Sequence, residues 1–316
     1  MRKIPVALAI LGLAAVGLTG CGIPAGYDSC PRPTSDTSAA DLVKVSGETG
    51  QKPEVTVRTP FHVDSTSFGD IHEGEGTAIS AKNQAVVLDM QIVSGKTGEV
   101  LVSTPYDGDL SRVNTYDRWI QAVPAFKTAL ECATEGTRTV VALAPGGMEA
   151  QTAASLGLGE KDSAIAVVDV QKVYLPHAQG SLVYNDALGL PTVVRDPDGR
   201  PGIIVPDATA PKDIVAQTLI KGSGPTVGAD DTIRVQYTSV SWDDKSVLET
   251  TWDSEPAAAT LEKLVPGAAK VLGDDITVGS QLLVVLPSSD GSNGASPGVA
   301  RVFVVDILGV DAAPTK

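Results

Sequence analysis

The chain has 316 residues, 24 basic against 38 acidic side chains, a net charge of −14, and an aromatic content of only 4%. Such acidity argues against nucleic acid and anionic headgroups as partners, because both repel a negative surface. Beyond the first twenty residues no stretch stays apolar for long enough to cross a bilayer, and the length suits two domains better than one.

In chain order, Arg2 and Lys3 precede an apolar run from Val6 to Leu18, which ends in Leu18-Thr19-Gly20-Cys21. The pattern is that of a bacterial lipoprotein signal, with a run too short to span as a mature helix and small residues before a cysteine that takes lipid after cleavage. The other reading is an ordinary secretory signal with Cys21 lost or left as a thiol. Residues 1–20 are thus expected to be a signal peptide, and 21–45 a lipidated flexible tether starting at Cys21. Acyl chains buried at ~0.8 kcal/mol per CH2 then hold the protein on an extracytoplasmic membrane face. Losing Arg2 and Lys3 with the signal takes the net charge from −14 to −16.

Cys30 and Cys132 remain as an even pair in an exported chain, which reads either as a disulfide tying the tether to the first domain or as two unpaired thiols. From Pro31 to about Ala40 the residues are mostly Pro, Ser, Thr, Ala and Asp, which predicts a flexible spacer. The cluster from Arg195 to Gly202 is a turn. Its Asp-x-Asp-Gly resembles the start of a calcium loop, but Val205 stands where such a loop needs Glu. In the same way Gly95-Lys96-Thr97 reads as a hairpin and not a phosphate loop, because Met90 occupies the position of the required glycine.

An internal repeat organises the chain. Residues 73–76 match 221–224 through a shared Gly-x-Gly, Val123-Pro124 matches Val265-Pro266, and 167–170 match 304–307, at offsets of 148, 142 and 137. Two copies cannot form a solenoid, so each must carry its own core. Val86, Leu88, Met90 and Ile92 alternate with other residues as a half-buried strand requires, and so do Ile233, Val235 and Tyr237. Turns at 94–98 and 242–246 reverse each strand. Helical pattern is short, chiefly 124–132 and 266–272. The predicted fold is α+β, with two tandem domains at 46–178 and 190–312 joined by a linker at 179–189. Each is a mostly antiparallel twisted sheet, a half-barrel around one short helix.

The order of Gly-x-Gly, the strand ending Val235-Gln236-Tyr237-Thr238, the hairpin, 247–251, Val265-Pro266-Gly267, Val278-Gly279 and the closing 302–306 resembles the FKBP-type peptidyl-prolyl cis-trans isomerases. The layout is similar to tandem FKBP-like lipoproteins of actinobacterial type, over about residues 46–310. The resemblance implies a proline pocket in the second domain, with Tyr237, Leu248, Glu249, Val265 and Phe303 as its catalytic residues. Leu248 and Glu249 stand where the family has phenylalanine and aspartate. Ala257 and Ala268 replace a phenylalanine and a tryptophan, and Ser292 stands near the place of a missing tyrosine. In the first domain Met90, Leu101, Val102 and Ala166 occupy the pocket positions, and only Val123 and Phe126 suggest a floor, so that domain is read as degenerate.

These residues also have plainer readings. Tyr237 and Phe303 fit the core of a half-barrel, and Glu249 fits a solvated strand. Trp242 and Trp252 either bind peptide at the pocket mouth or cap the sheet edge. His62, His72 and His177 are scattered and no metal or cofactor is expected. The expected function is an isomerase that assists folding of proline-containing exported polypeptides, with the lipid membrane as its other partner and no nucleic acid. A catalytically inactive FKBP-like chaperone or peptide-binding lipoprotein is the alternative. Neither the client nor the oligomeric state is legible.

Overall fold

The computed structural model describes residues 30–184, 187–273, 275–288 and 298–311. Two large antiparallel sheets follow one another along the chain. The first has six strands in the order Ser67–His72, Arg138–Leu143, Ala164–Val173, Ala85–Ser94, Val100–Ser103, with Asn114–Thr115 added beside Ala85–Ser94. The second has seven, in the order Gly180–Leu182, Val215–Gly222, Gln281–Leu286, Arg301–Val310, Ile233–Ser241, Val247–Thr250, with Ala257–Ala259 beside Ile233–Ser241. Apart from the extra edge strand Gly180–Leu182, the order is the same. Among the described residues no helix is long and apolar enough to cross a membrane.

The alternation read from the sequence is the alternation of faces. Val86, Leu88, Met90 and Ile92 enter one core on the helical face of the first sheet, and Ile233, Val235 and Tyr237 enter its counterpart in the second. Each sheet is also covered on its other face. Val93, Val140, Ile165 and Val167 pack under residues of the 40–63 region, and Val240, Leu283, Val285, Val302 and Val304 pack under residues near the hairpin Thr192–Arg195 and Pro201–Ile204.

The Gly-x-Gly repeat marks a close crossing of chains. A Cβ on Gly74 would stand 1.9 Å from the Glu135 carbonyl oxygen, and a Cβ on Gly222 would stand 2.1 Å from that of Val278. Any side chain there would push the crossing strand away.

Three expectations are corrected. Residues 30–45, expected to be a flexible tether, are packed onto the first sheet from Cys30 onward. Arg32 grips the Asp70 carboxylate with two hydrogen bonds of 2.9 and 2.7 Å, the Ser35 hydroxyl accepts the Phe68 N–H, and Ala40 and Val43 are buried. Cys30 is bonded to Cys132, with Cα atoms 5.3 Å apart. A segment poor in apolar area is thus ordered by hydrogen bonds to the edge strand Ser67–His72 and by a covalent tie, which composition does not report.

The expected linker 179–189 contributes Gly180–Leu182 to the second sheet, where it pairs with Lys221 and its neighbours. Finally, each sheet carries more than one short helix. Phe126–Ala129 and Ala268–Leu272 lie where expected, but Tyr116–Ala122 and Leu261–Leu264 precede them, and Ala150–Ser155 is added in the first half. These runs of four to seven residues are too short to show helical periodicity in the sequence.

Candidate functional site

The strand Ile233–Ser241 runs through the second sheet between Arg301–Val310 and Val247–Thr250. Its register places Tyr237 opposite Val305, and Ser239 opposite both Phe303 and Glu249. Directly opposed residues share a face, and residues two apart along a strand share it too. Tyr237, Phe303 and Glu249 therefore project to the helical side. The Tyr237 and Phe303 rings are tilted at 39° with centroids 6.4 Å apart, inside the range where aromatic pairs contribute about 0.5–1.5 kcal/mol beyond their area.

Val265 closes this group from the helix side. It is fully buried where Leu261–Leu264 ends, and Pro266 prevents the helix from continuing. The backbone there has φ −134° and ψ 79°, and Val123 in the first half has φ −133° and ψ 85°. The repeated Val-Pro is thus the same break in the chain, made twice.

The Tyr237 ring is almost wholly enclosed, at 7% exposure, and Phe303 is 6% exposed. Burial raises the Tyr237 phenol above its usual range, and the hydrogen-bonded Glu249 carboxylate beside it raises it further. The phenol keeps its proton at neutral pH and serves as a hydrogen-bond donor. Glu249 is otherwise on the solvent side of the group.

A residue not singled out in the sequence fixes this geometry. The Thr251 hydroxyl accepts the Tyr237 N–H at 2.9 Å, and the Thr251 N–H donates to the Tyr237 carbonyl at 3.0 Å. In the first half Thr104 does the same to Met90, at 3.0 and 2.9 Å. The repeat aligns the two threonines, so the signal was present as a second matched pair.

Other expected site residues lie elsewhere. Leu248 sits at a β-bulge between Glu249 and Val247, is 44% exposed, and does not join the aromatic group. At the bulge two residues of this strand oppose one of its neighbour, so alternation does not fix the side on which Leu248 lies. Leu101, at the equivalent bulge, packs on the first core.

Trp242 is buried at 3% exposure on the opposite face of the sheet, among Val240, Val302 and Val304, and its Nε1 donates to the Ala208 carbonyl at 2.8 Å. It anchors the 205–210 segment, on the sheet face away from Tyr237. Trp252 is buried next to Thr251, and its indole nitrogen meets no acceptor among the described residues. Ala268 is fully buried on the floor, and Ala257 packs at its margin. Cys21 and Ser292 lie outside the described residues.

In the first half the same register holds Met90 opposite Val168, Ala166 opposite Ile92, and Val102 opposite Ile92 from the other side. No aromatic ring stands on that sheet's helical face at these three positions. Phe126 and Tyr116 fill the space from the helices, with the Tyr116 hydroxyl donating to the Phe126 and Lys127 carbonyls at 2.9 and 2.8 Å.

Neither a protein-family model nor a curated protein sequence matches the chain. Among solved structures it is similar to the three FKBP domains of wheat FKBP73, at 13% identity over 78% of this chain and 94% of that one, with a TM-score of 0.31. It is similar to FkpA from Escherichia coli at 24% identity, over 41% of this chain and 55% of that one, with a TM-score of 0.28. A putative peptidyl prolyl cis-trans isomerase, FKBP12 from Mycobacterium tuberculosis, is 23% identical over 32% of this chain and 86% of that one, with a TM-score of 0.24.

Proposed function

We propose that this chain is a membrane-anchored, extracytoplasmic peptidyl-prolyl cis-trans isomerase of FKBP type that assists the folding of exported, proline-containing polypeptides. It consists of tandem FKBP-like domains at about 46–178 and 190–312, and the second is the active one. The observation that supports this best is the grouping of Tyr237, Phe303, Val265 and Glu249 on one face of the second sheet.

An X-Pro amide rotates over a barrier of ~20 kcal/mol because resonance is lost as the bond twists. The twisted amide is less dipolar than the planar one, so a dry site with aromatic walls favours it without any nucleophile. In this reading Tyr237 and Phe303 form the walls and Val265 the floor. A substrate carbonyl that takes the place of the Glu249 carboxylate accepts the single Tyr237 hydroxyl proton. The lipid on Cys21 keeps the site at the membrane where exported chains emerge.

A second reading has its own support. Tyr237 and Phe303 are more than nine-tenths buried and Leu248 faces solvent, as in a protein that kept the fold, lost catalysis, and serves as a chaperone or peptide-binding lipoprotein.

Catalysed isomerisation of a short X-Pro peptide by residues 22–316 separates the two. The isomerase reading expects acceleration that falls at least about tenfold in Tyr237→Ala and Phe303→Ala, and far less in Glu249→Gln. No acceleration by the folded protein eliminates it, and suppression of client aggregation without isomerisation favours the second. For the anchor, Cys21→Ser is expected to move the protein out of the membrane fraction; unchanged partition ends that part of the proposal.

A further inference from the structure

Between the two sheets lies a cavity of about 430 Å³, formed by residues of both halves. Its apolar walls include Val173, Leu175, Val278 and Leu308. Three charged side chains line it: Glu135, Lys172 and Lys221. The Lys221 ammonium is paired with the Asp275 carboxylate at 2.7 Å, and the Glu135 carboxylate accepts the Val173 N–H at 2.9 Å and keeps its charge.

Lys172 differs. Among the described residues it has no carboxylate partner within ion-pair distance; its Nζ donates to the Val310 carbonyl at 2.5 Å and stands 4.9 Å from the centre of the Tyr174 ring. A carbonyl and an aromatic face hold an ammonium in place but leave its charge unneutralised, and with three N–H groups it has donors to spare. An ammonium with spare donors beside low-dielectric walls can hold a carboxylate locally, against the acidity of the chain as a whole. The cavity lies within the ~300–1,000 Å³ usual for small ligands and at the boundary between two folded units, where such sites concentrate.

We propose that this cavity binds a small organic anion with a single carboxylate on a short aliphatic body. The carboxylate meets Lys172 Nζ and the body lies on the Val173, Leu175, Val278 and Leu308 side chains. Because both halves contribute, the ligand stabilises their docking by mass action. None of the lining residues belongs to the Tyr237 group, so the site stands whether or not the chain is an isomerase.

Calorimetric titration of the full chain with hexanoate, hexylamine and hexanol tests this. Hexanoate is expected to bind saturably at one site, at least about tenfold more tightly than the amine or the alcohol, a difference of ~1.4 kcal/mol. Lys172→Met keeps the aliphatic stem and removes the charge, and should weaken hexanoate at least about tenfold, whereas Lys172→Arg should hold it within about threefold. Absence of saturable binding, equal binding of hexanol, or unchanged affinity in a folded Lys172→Met protein overturns the proposal. If Lys172→Met does not fold, the three ligands on the unaltered chain decide it.

Discussion

The two sheets share a plan and differ in what fills it. At the positions held by Tyr237 and Phe303 in the second half stand Met90 and Ala166 in the first; where the second has the small Ala268 and Leu261 on its helices, the first has Phe126 and Tyr116. Apart from Phe68 on the edge strand, aromatic volume thus enters the first core from the helices, and the second from the sheet. A close-packed interior conserves volume and does not fix which element supplies it. Only volume supplied from the sheet places a phenol beside a carboxylate at the rim.

A second difference lies under the same register. Asp169 and Asp306 are both buried at matching positions of their strands, opposite Arg138 and Gln281 respectively. Arg138 meets Asp169 at 2.6 and 2.8 Å and continues to the Gly47 and Gln51 carbonyls. Asp306 instead accepts from Gln281 Nε2 at 2.7 Å and from the Ala178 N–H at 2.8 Å, and the Arg195 guanidinium donates to the Gln281 oxygen. One half buries an ion pair; the other buries a carboxyl among neutral donors.

The largest expected effect tests that contrast. Arg138→Met leaves Asp169 buried and unpaired, and should cost about 3–5 kcal/mol by denaturant unfolding, whereas Gln281→Met should cost about 1–3 kcal/mol, a buried hydrogen bond. Equal losses would show that the two aspartates sit in equivalent surroundings after all.

The next effect is one of pH. Burial pushes the Asp306 carboxyl up to about 6 from 3.8, against the opposing pull of the Ala178 N–H and Gln281. The folded state therefore binds the proton more tightly than the unfolded one, and stability from this group is full below pH 3.8 and lost as pH rises through about 6. At ~1.36 kcal/mol per unit the loss approaches roughly 3 kcal/mol. Urea midpoints at pH 4.5 and 7.5 should show it in the unaltered chain and not in Asp306→Asn; the same slope in both proteins would assign it to other groups.

The smallest effect concerns volume. Ala268→Phe copies Phe126 into the second half and should overpack it by about 1–3 kcal/mol, with most of the loss recovered on adding Phe303→Ala. Additive losses in the double variant would mean that the two positions do not share one space.

Much of the plan was legible because it is local. Strand alternation, the hairpins at 94–98 and 242–246, the Val-Pro breaks and the Gly-x-Gly crossings each depend on a few adjacent residues, so the repeated sequence reports them directly. The site was legible in part. Tyr237, Phe303, Val265 and Glu249 come together on one side of the second sheet, while Leu248 stands exposed at a bulge that no single-strand pattern reveals.

What the tertiary structure alone decided depends on partners far apart in the chain. Whether 30–45 is loose or docked rests on Asp70 and Cys132; the face on which Trp242 lies rests on Ala208; the state of each buried aspartate rests on the residue facing it from another strand. A periodic pattern fixes which residues turn inward together. It does not fix what they meet there, because that depends on distant segments brought together by folding, and their pairing leaves no mark on either segment read by itself.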